Sequence, residues 1–247
     1  MGEEVAGTRR VDPLAELLEE LSAAGDLQAA WQRVVNACLT EVEGAEYAGI
    51  TVLGRESATT PVASDPLVRA VDELQYSTGQ GPCVRAAVAD TEPVVLVNDL
   101  LGDGRWPDFS GGAVKLGVSA MLSFHLYTEP DSTVGALNLY STRVDSFTPE
   151  SLQTGALLAA HAAVAAATAE KTGQLRVALA SRDLIGQAKG ILMERYRITA
   201  DHAFGLLVAA SQRTNRRLTD LAEELATTGQ LAGLLSPHEP SSLLRAP

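Results

Sequence analysis

The chain has 247 residues, long enough for one large domain or two modest ones with a real core. Hydrophobic residues make up 46% and charged residues 20%, which argues against wholesale disorder, and a formal net charge of −12 argues against nucleic acid as a partner of the chain taken whole. The charge is unevenly placed, however: residues 1–170 carry 9 Lys and Arg against 24 Asp and Glu, net −15, whereas residues 171–247 carry 10 against 7, net +3. That asymmetry raises nucleic acid as a partner of the C-terminal part alone, with uneven surface charge as the plain alternative.

The N-terminal "MGEEVAGTRRVDPL" is polar and lacks the apolar core of a signal segment, and it lacks the Ser or Thr of a myristoylation site. Around "GALLAAHAAVAAATAE" the chain is mostly alanine and contains His161, too weakly hydrophobic for a membrane span. Two cysteines, Cys38 and Cys83, form neither a metal-binding spacing nor a disulfide framework. The expectation is a soluble, cytoplasmic protein with no membrane contact.

In chain order, "PLAELLEELSAA" places Leu14, Leu17, Leu18 and Leu21 on one helix face, and Asp26 can cap a second helix carrying Trp31, Val34, Val35 and Cys38. "YAGITVLGR" (47–55) and "TTPVAS" (59–64) read as strands. Asp65 followed by Pro66 is a cap with proline at the first helical position, opening a helix to about Tyr76. "GQGPC" (79–83) turns into a short helix, "PVVLVND" (93–99) reads as a strand, and "RWPDFSGGAVKLG" as a loop with a short helix. "VSAMLSFHLYT" (118–128) and "TVGALNLYST" (133–142), joined by "EPDS", form a hairpin, so residues 12–148 read as an α+β domain with a partly antiparallel sheet.

The character then changes. Thr148 and Pro149 start a helix that only Gly155, Gly173, Gly186 and Gly190 interrupt before Tyr196. If continuous it would be roughly 72 Å long, so it is either a connector or broken near Gly173. Its alanine-rich first half suits close packing, against a second copy of itself or against the chain's own sheet. Thr199 can cap a helix with Ala203, Phe204, Leu207 and Val208 along one face, and Thr219 can cap a last one carrying Leu221, Ala222 and Leu225, with Gly229 as its stop. "LLSPHEPSSLLRAP" reads as a loose tail.

Within "SRDLIGQAKGILMERYRIT" (181–199), two glycines sit inside a helix, each costing about 0.5–1 kcal/mol against alanine. Leu184, Ile185, Ala188, Ile191 and Leu192 share one arc of the helical wheel. Arg182, Gly186, Lys189, Gly190, Met193, Tyr196 and Arg197 share the adjoining arc, with Arg182, Lys189 and Tyr196 recurring every seven residues. Cations can meet phosphate, Tyr196 can stack on a base, and the missing side chains let a ligand reach the backbone. Helix packing through small residues with solvated cations is the competing reading. Arg213, Asn215, Arg216 and Arg217 add a basic turn.

These residues also carry a resemblance. "SRDLIGQAKGILMERYRITADHAFGLLVAASQRTNRRLTDLAEEL" resembles an ANTAR domain, the RNA-binding output module of bacterial antiterminators, over about 176–228. The resemblance implies an all-α three-helix domain that binds paired RNA stem-loops in leader transcripts as a homodimer, with Ala188, Lys189, Gly190 and Tyr196 on the RNA face. The α+β part, through "ELQYSTGQGPC", "ND", Trp106 and "VGALNLYS…SF", resembles a GAF domain over about 47–148, which implies a sensory role and a small-molecule ligand or redox state read beside the sheet. The organisation expected is therefore a GAF-like sensory domain over 12–148, a connecting or coiled-coil helix over 149–180, and an RNA-binding domain over 181–235. A DNA-binding regulator, with 200–227 as a helix-turn-helix, and a sensor acting through a protein partner are the alternatives; the acidic "TDLAEELATT" is a poor recognition helix.

Cys83, near a helix start where a thiolate would be stabilised, is a candidate redox or attachment residue, and His125, beside Phe124 on a strand, a candidate haem ligand. A buried small hydrophobe and an ordinary strand histidine are the plainer readings. No nucleophile–base pair, paired carboxylates or phosphate-binding loop stands out, so no enzyme and no particular cofactor is expected.

Overall fold

The computed structural model describes residues 26–53, 58–88, 92–129 and 132–231. The expected helix over 13–24, the hairpin-tip residues Pro130 and Asp131, and the tail from 234 lie outside them. The chain divides into two compact units, 1–170 and 171–247.

The first unit runs α1 (Leu27–Glu41), β1 (Tyr47–Leu53), β2 (Ala58–Ala63), α2 (Pro66–Thr78), α3 (Pro82–Val88), β3 (Val94–Val97), α4 (Leu100–Asp103), α5 (Pro107–Lys115), β4 (Ala120–Glu129) and β5 (Ser132–Ser141). The strands form one sheet in the order β2-β1-β5-β4-β3, and every neighbouring pair is antiparallel. Helix starts follow the predicted capping chemistry. Asp26 accepts from Gln28 N–H at 3.4 Å, and Asp65 accepts from Leu67 N–H at 2.8 Å with Pro66 behind it. Asp99, read from sequence as a strand end, instead caps α4 by accepting from Leu101 and Gly102 N–H. Its neighbour Asn98 pairs with the Phe147 backbone, donating to the carbonyl at 2.9 Å and accepting from the N–H at 3.1 Å.

Alternation along the strands sorts side chains between two cores. Leu122, Phe124 and Leu126 of β4 and Leu137 and Leu139 of β5 face α1, whose Trp31, Val34, Val35 and Cys38 are buried against them. Met121 and Tyr140 face the other way, among Val68, Val71, Leu100, Trp106 and Phe109 of α2, α4 and α5.

After Thr148 the helix α6 runs unbroken from Pro149 to Tyr196, through Gly173. Ser151 ties down its start: its hydroxyl donates to the Glu43 carbonyl at 2.7 Å and accepts from Thr148 N–H at 3.0 Å. By length and composition α6 is apolar enough to cross a membrane. Yet Leu158, Ala159, Ala162 and Ala166 of its alanine-rich stretch are buried in the α1-side core, where the Ala162 carbonyl also accepts from Trp31 Nε1–H at 3.1 Å. The chain's own sheet and α1 therefore supply packing partners for the alanines.

In the second unit the C-terminal part of α6 packs with α7 (Ala200–Thr214) and α8 (Leu218–Thr228) around Ala188, Leu192, Ala203, Leu207, Ala210, Leu221, Ala222 and Leu225. Thr199 caps α7 through His202 N–H at 3.4 Å, and Gly229 ends α8 in the left-handed region. Thr219 does not cap α8. Asp220 and Leu221 N–H both bond the Arg217 carbonyl, so Arg217 is the cap residue and Thr219 lies inside the first turn.

Gly155 marks where α6 meets the sheet, since a Cβ there would run into the ring of Phe124. Gly155→Val is expected to lower stability by about 1–3 kcal/mol, as overpacking a filled core does, and urea unfolding followed by circular dichroism measures it.

Candidate nucleic-acid interface

Two helices dock on α6 in the second unit and leave the rest of its circumference bare. Ala188 and Leu192 are fully buried beneath α7 and α8, and Leu184, Ile185 and Ile191 are half-buried beside them. Arg182, Gly186, Gly190, Met193 and Arg197 are exposed. A Cβ built on Gly186 or Gly190 would meet nothing within 4 Å, whereas Gly155 of the same helix has no such room. Packing within the described chain therefore does not explain either Gly186 or Gly190.

Of the residues predicted for an RNA face, Arg182, Gly186 and Gly190 lie along this bare strip, with the half-buried Lys189 at its edge beside Phe204 of α7. Ala188 does not. It is fully buried in the three-helix core, because it lies four residues from both Leu184 and Leu192 on the packed side, so its role is packing. Tyr196 is half-buried against the same core, and Arg197 closes α6 in the left-handed region (φ 53°), paired with Glu194 at 3.1 Å. The basic turn is largely engaged in its own structure. Asn215 is the left-handed cap of α7, Arg216 bonds Glu224 at 2.6 Å and Arg217 bonds Asp220 at 3.1 Å; Arg213 is exposed. Among the described residues, Arg182 and Lys189 make no ion pair.

Phe204 is the residue that sequence reasoning misplaced. Expected on the core face, it is 42% exposed, because the face α7 buries is Ala203, Leu207 and Ala210. Spacing of four and three between those positions carried the signal, and Phe204 sits one residue off it. Its ring lies beneath Lys189, with Nζ 6.0 Å from the ring centroid, at the outer limit of a cation–π contact. Phe204, Lys189, Arg182, Gly186, Ile185, Ser181 and Ala178 line one open groove of about 430 Å³. Gln187, Gly190, Ile191, Glu194, Arg195 and Ala226 line a second, shallower one. Only the first has cations and no carboxylate.

The first unit holds a different arrangement. Asp72 of α2 is fully buried, with no ion pair to a cation among the described residues, accepting from Thr60 Oγ1 at 2.7 Å, Thr51 Oγ1 at 3.2 Å, Gln75 Nε2 at 3.2 Å and the Tyr140 hydroxyl. Burial pushes its carboxyl above the usual range, against the pull of those hydrogen bonds. Burial and the neighbouring Asp72 likewise raise Tyr76 and Tyr140. Gln75 links this cluster to the "GQGPC" turn: its Oε1 accepts Cys83 N–H at 2.9 Å, and Gly81, at φ 130°, leaves no room for a Cβ beside it. Cys83 is fully buried and its thiol is pushed up to about 12, mainly by burial and then by Asp72. The expected stabilised thiolate is thus reversed, since desolvation outweighs any effect of the helix start. His125 is 8% exposed on the same sheet face, two residues beyond Ser123, whose buried hydroxyl has no partner among the described residues. Asn138, opposite Ser123 on β5, donates to Thr51 at 3.0 Å while its Oδ1 is unpartnered. Among the described residues no group of three His, Cys, Asp or Glu could hold a metal ion.

A five-stranded antiparallel sheet with helices on both faces, followed by a three-helix unit, makes an α+β domain joined to an all-α one. The chain belongs to the GAF family, whose domain model matches residues 24–167, and an ANTAR domain model matches residues 173–225. An ANTAR domain implies RNA-binding antitermination regulation, and a GAF domain implies a sensory role. Three solved structures share the fold at low identity. A bacteriophytochrome of the photosynthetic bacterium R. palustris matches with a TM-score of 0.55 and 14% identity, over 92% of this chain and 48% of that one. The GAF domain of a phosphoenolpyruvate-protein phosphotransferase from Coxiella burnetii matches at 0.51 and 17%, over 65% and 94%. A free methionine-R-sulfoxide reductase from Neisseria meningitidis, in complex with its substrate, matches at 0.51 and 14%, over 64% and 89%. No curated protein matches the chain.

Since Gly186 and Gly190 face open space, Gly186→Ala and Gly190→Ala should each stabilise the helix, by about 0.5–1 kcal/mol. A rise in helicity and thermal midpoint checks this, and a fall would reveal a packing partner. Asp72 predicts a pH effect of opposite sign to that of a paired carboxylate. Its raised folded-state value means that the unfolded chain releases this proton first, so its contribution to stability is lost as pH rises above about 4. Urea midpoints of Asp72→Asn and wild type between pH 4 and 7 should therefore diverge, with the variant gaining on wild type as pH increases.

Proposed function

We propose that the chain is a signal-responsive regulator that binds paired RNA hairpins in leader transcripts and favours antitermination, acting in the cytoplasm as a homodimer. The observation that carries the RNA reading is the bare strip of α6, where, among the described residues, two glycines with open space beside them stand next to two cations that make no ion pair. A helix in which side chains are removed and no part of the described chain fills the space presents its backbone to something outside. A phosphate backbone suits Arg182 and Lys189, and single-stranded loops are where RNA exposes bases to a protein surface.

The homodimer reading rests on residues 170–180, every one of which is exposed, including Leu175, Val177 and Leu179 at 65%, 68% and 58%. A helical stretch with three bare apolar side chains draws little stability from propensity alone and gains it from a partner helix. In this reading residues 149–180 form the coupler between the sensory domain and an RNA-binding domain over 181–235. A small molecule bound beside the Asp72 cluster would alter the packing or register of paired couplers. DNA is the weaker alternative: α8, the would-be recognition helix, carries Asp220, Glu223 and Glu224 and no Lys or Arg. A sensor acting through a protein partner is tested by the same experiment.

That experiment is titration of a paired-hairpin RNA with the full chain at several salt concentrations. Lys189→Ala should weaken binding about tenfold and reduce the salt slope by about one, with the melting temperature unchanged. Gly190→Leu, which fills the strip, should also lose RNA while remaining folded. Equal binding by both variants would move RNA off this face, competition by duplex DNA would favour the DNA reading, and salt-independent binding or none would favour a protein partner.

A further inference from the structure

We infer that Phe204 is the stacking platform for one unpaired base of the RNA loop, with Arg182 and Lys189 holding the phosphates on either side of it. This deepens the RNA-binding reading above and rests on it.

Three observations within the second unit meet at this ring. Phe204 is 42% exposed while Ala203, Leu207 and Ala210, the turn-related residues of α7, are fully buried, so the ring is not needed to fill the three-helix core. It lines the groove that also holds Gly186, whose missing side chain leaves the approach open, since a Cβ there would meet nothing within 4 Å. Arg182 and Lys189 are the only charged residues among those lining the groove, and Lys189 Nζ sits 6.0 Å from the ring centroid. The groove, at about 430 Å³, falls within the range of small-ligand sites, so it has room for a flipped-out base.

The chemistry selects the occupant. An apolar peptide side chain would gain from Phe204 and Ile185 but would leave two cations without counter-charges in the groove. A nucleotide offers a π face to the ring and an anionic phosphate to each cation, so it complements every group present. Phe204 lacks a hydrogen-bonding group, so it contributes affinity without choosing among bases. Tyr196, the aromatic expected from sequence to stack, is half-buried against the core and does not line this groove.

The test uses the full chain and a library of paired-hairpin RNAs with randomised loops, from which wild type selects binders at low salt. A recovered RNA is then remade with 2-aminopurine at each unpaired position in turn. Wild type should quench the fluorescence of one position on binding. Phe204→Leu, which keeps an apolar side chain of similar reach, should keep its melting temperature, weaken binding by about tenfold or more and abolish that quench. Phe204→Tyr should retain both affinity and quench, which a purely structural role would not require. If Phe204→Leu binds and quenches like wild type while Lys189→Ala loses RNA, the stacking role is overturned and the RNA reading stands. If wild type recovers no RNA, both fall together.

Discussion

A helix is secure where one face is buried and insecure where none is, and α6 is both in turn. Its first part is held in one core by Leu158, Ala162 and Ala166, and its last part in another by Ala188 and Leu192. Between them, residues 170–180 are exposed throughout. Backbone hydrogen bonding continues through this stretch, Gly173 included, yet propensity alone gives a short helix only marginal stability in water. Among the described residues, the middle of α6 is therefore a helical stretch that no part of the chain covers.

The four glycines of α6 show how one residue type answers different demands. At Gly155 a side chain would strike Phe124, so glycine permits the helix to approach the sheet. At Gly173, Gly186 and Gly190 a side chain would strike nothing, so glycine costs helix stability without any gain inside the described chain. A cost without an internal return is what an external contact surface looks like from within a single chain. The two cations beside Gly186 are free of ion pairs among the described residues, whereas Arg197, Arg216 and Arg217 are each held by a nearby carboxylate. Composition alone makes these cations equivalent, and only their neighbours distinguish them.

Much of the fold was legible because it depends on local chemistry. Asp26, Asp65 and Thr199 cap where their side chains can reach a free N–H, and the turn-forming "EPDS" between two apolar runs announces the β4–β5 hairpin. What was not legible depends on which face a partner element covers. The wheel of α6 put Arg182, Gly186 and Gly190 on the bare side but also Tyr196, which packs against the core, and Ala188 was carried onto the RNA face by family resemblance although it belongs to the packed arc. Phe204 was assigned to the core on hydrophobicity, and Thr219 was taken as a cap although the turn through Asn215 lets the helix start earlier. The Asp72 cluster was invisible for a further reason: Thr51, Asp72, Gln75, Asn138 and Tyr140 come from three separate elements and meet only when the sheet has formed.

A net charge of −12 does not decide whether such a surface can bind an anion. At physiological ionic strength, exposed charges are screened over about 8 Å, so what a phosphate feels is the small set of groups within reach. The groove beside Phe204 presents two cations and no carboxylate, and its glycine side admits a ligand close to the helix, where fewer waters intervene and each interaction counts for more. The neighbouring groove, with Glu194 beside Arg195, is nearly balanced and offers no such preference. Whether an acidic protein suits an anion is therefore a question of local arrangement, and in this chain α6 and α7 bring together a glycine, an exposed ring and two cations that make no ion pair among the described residues.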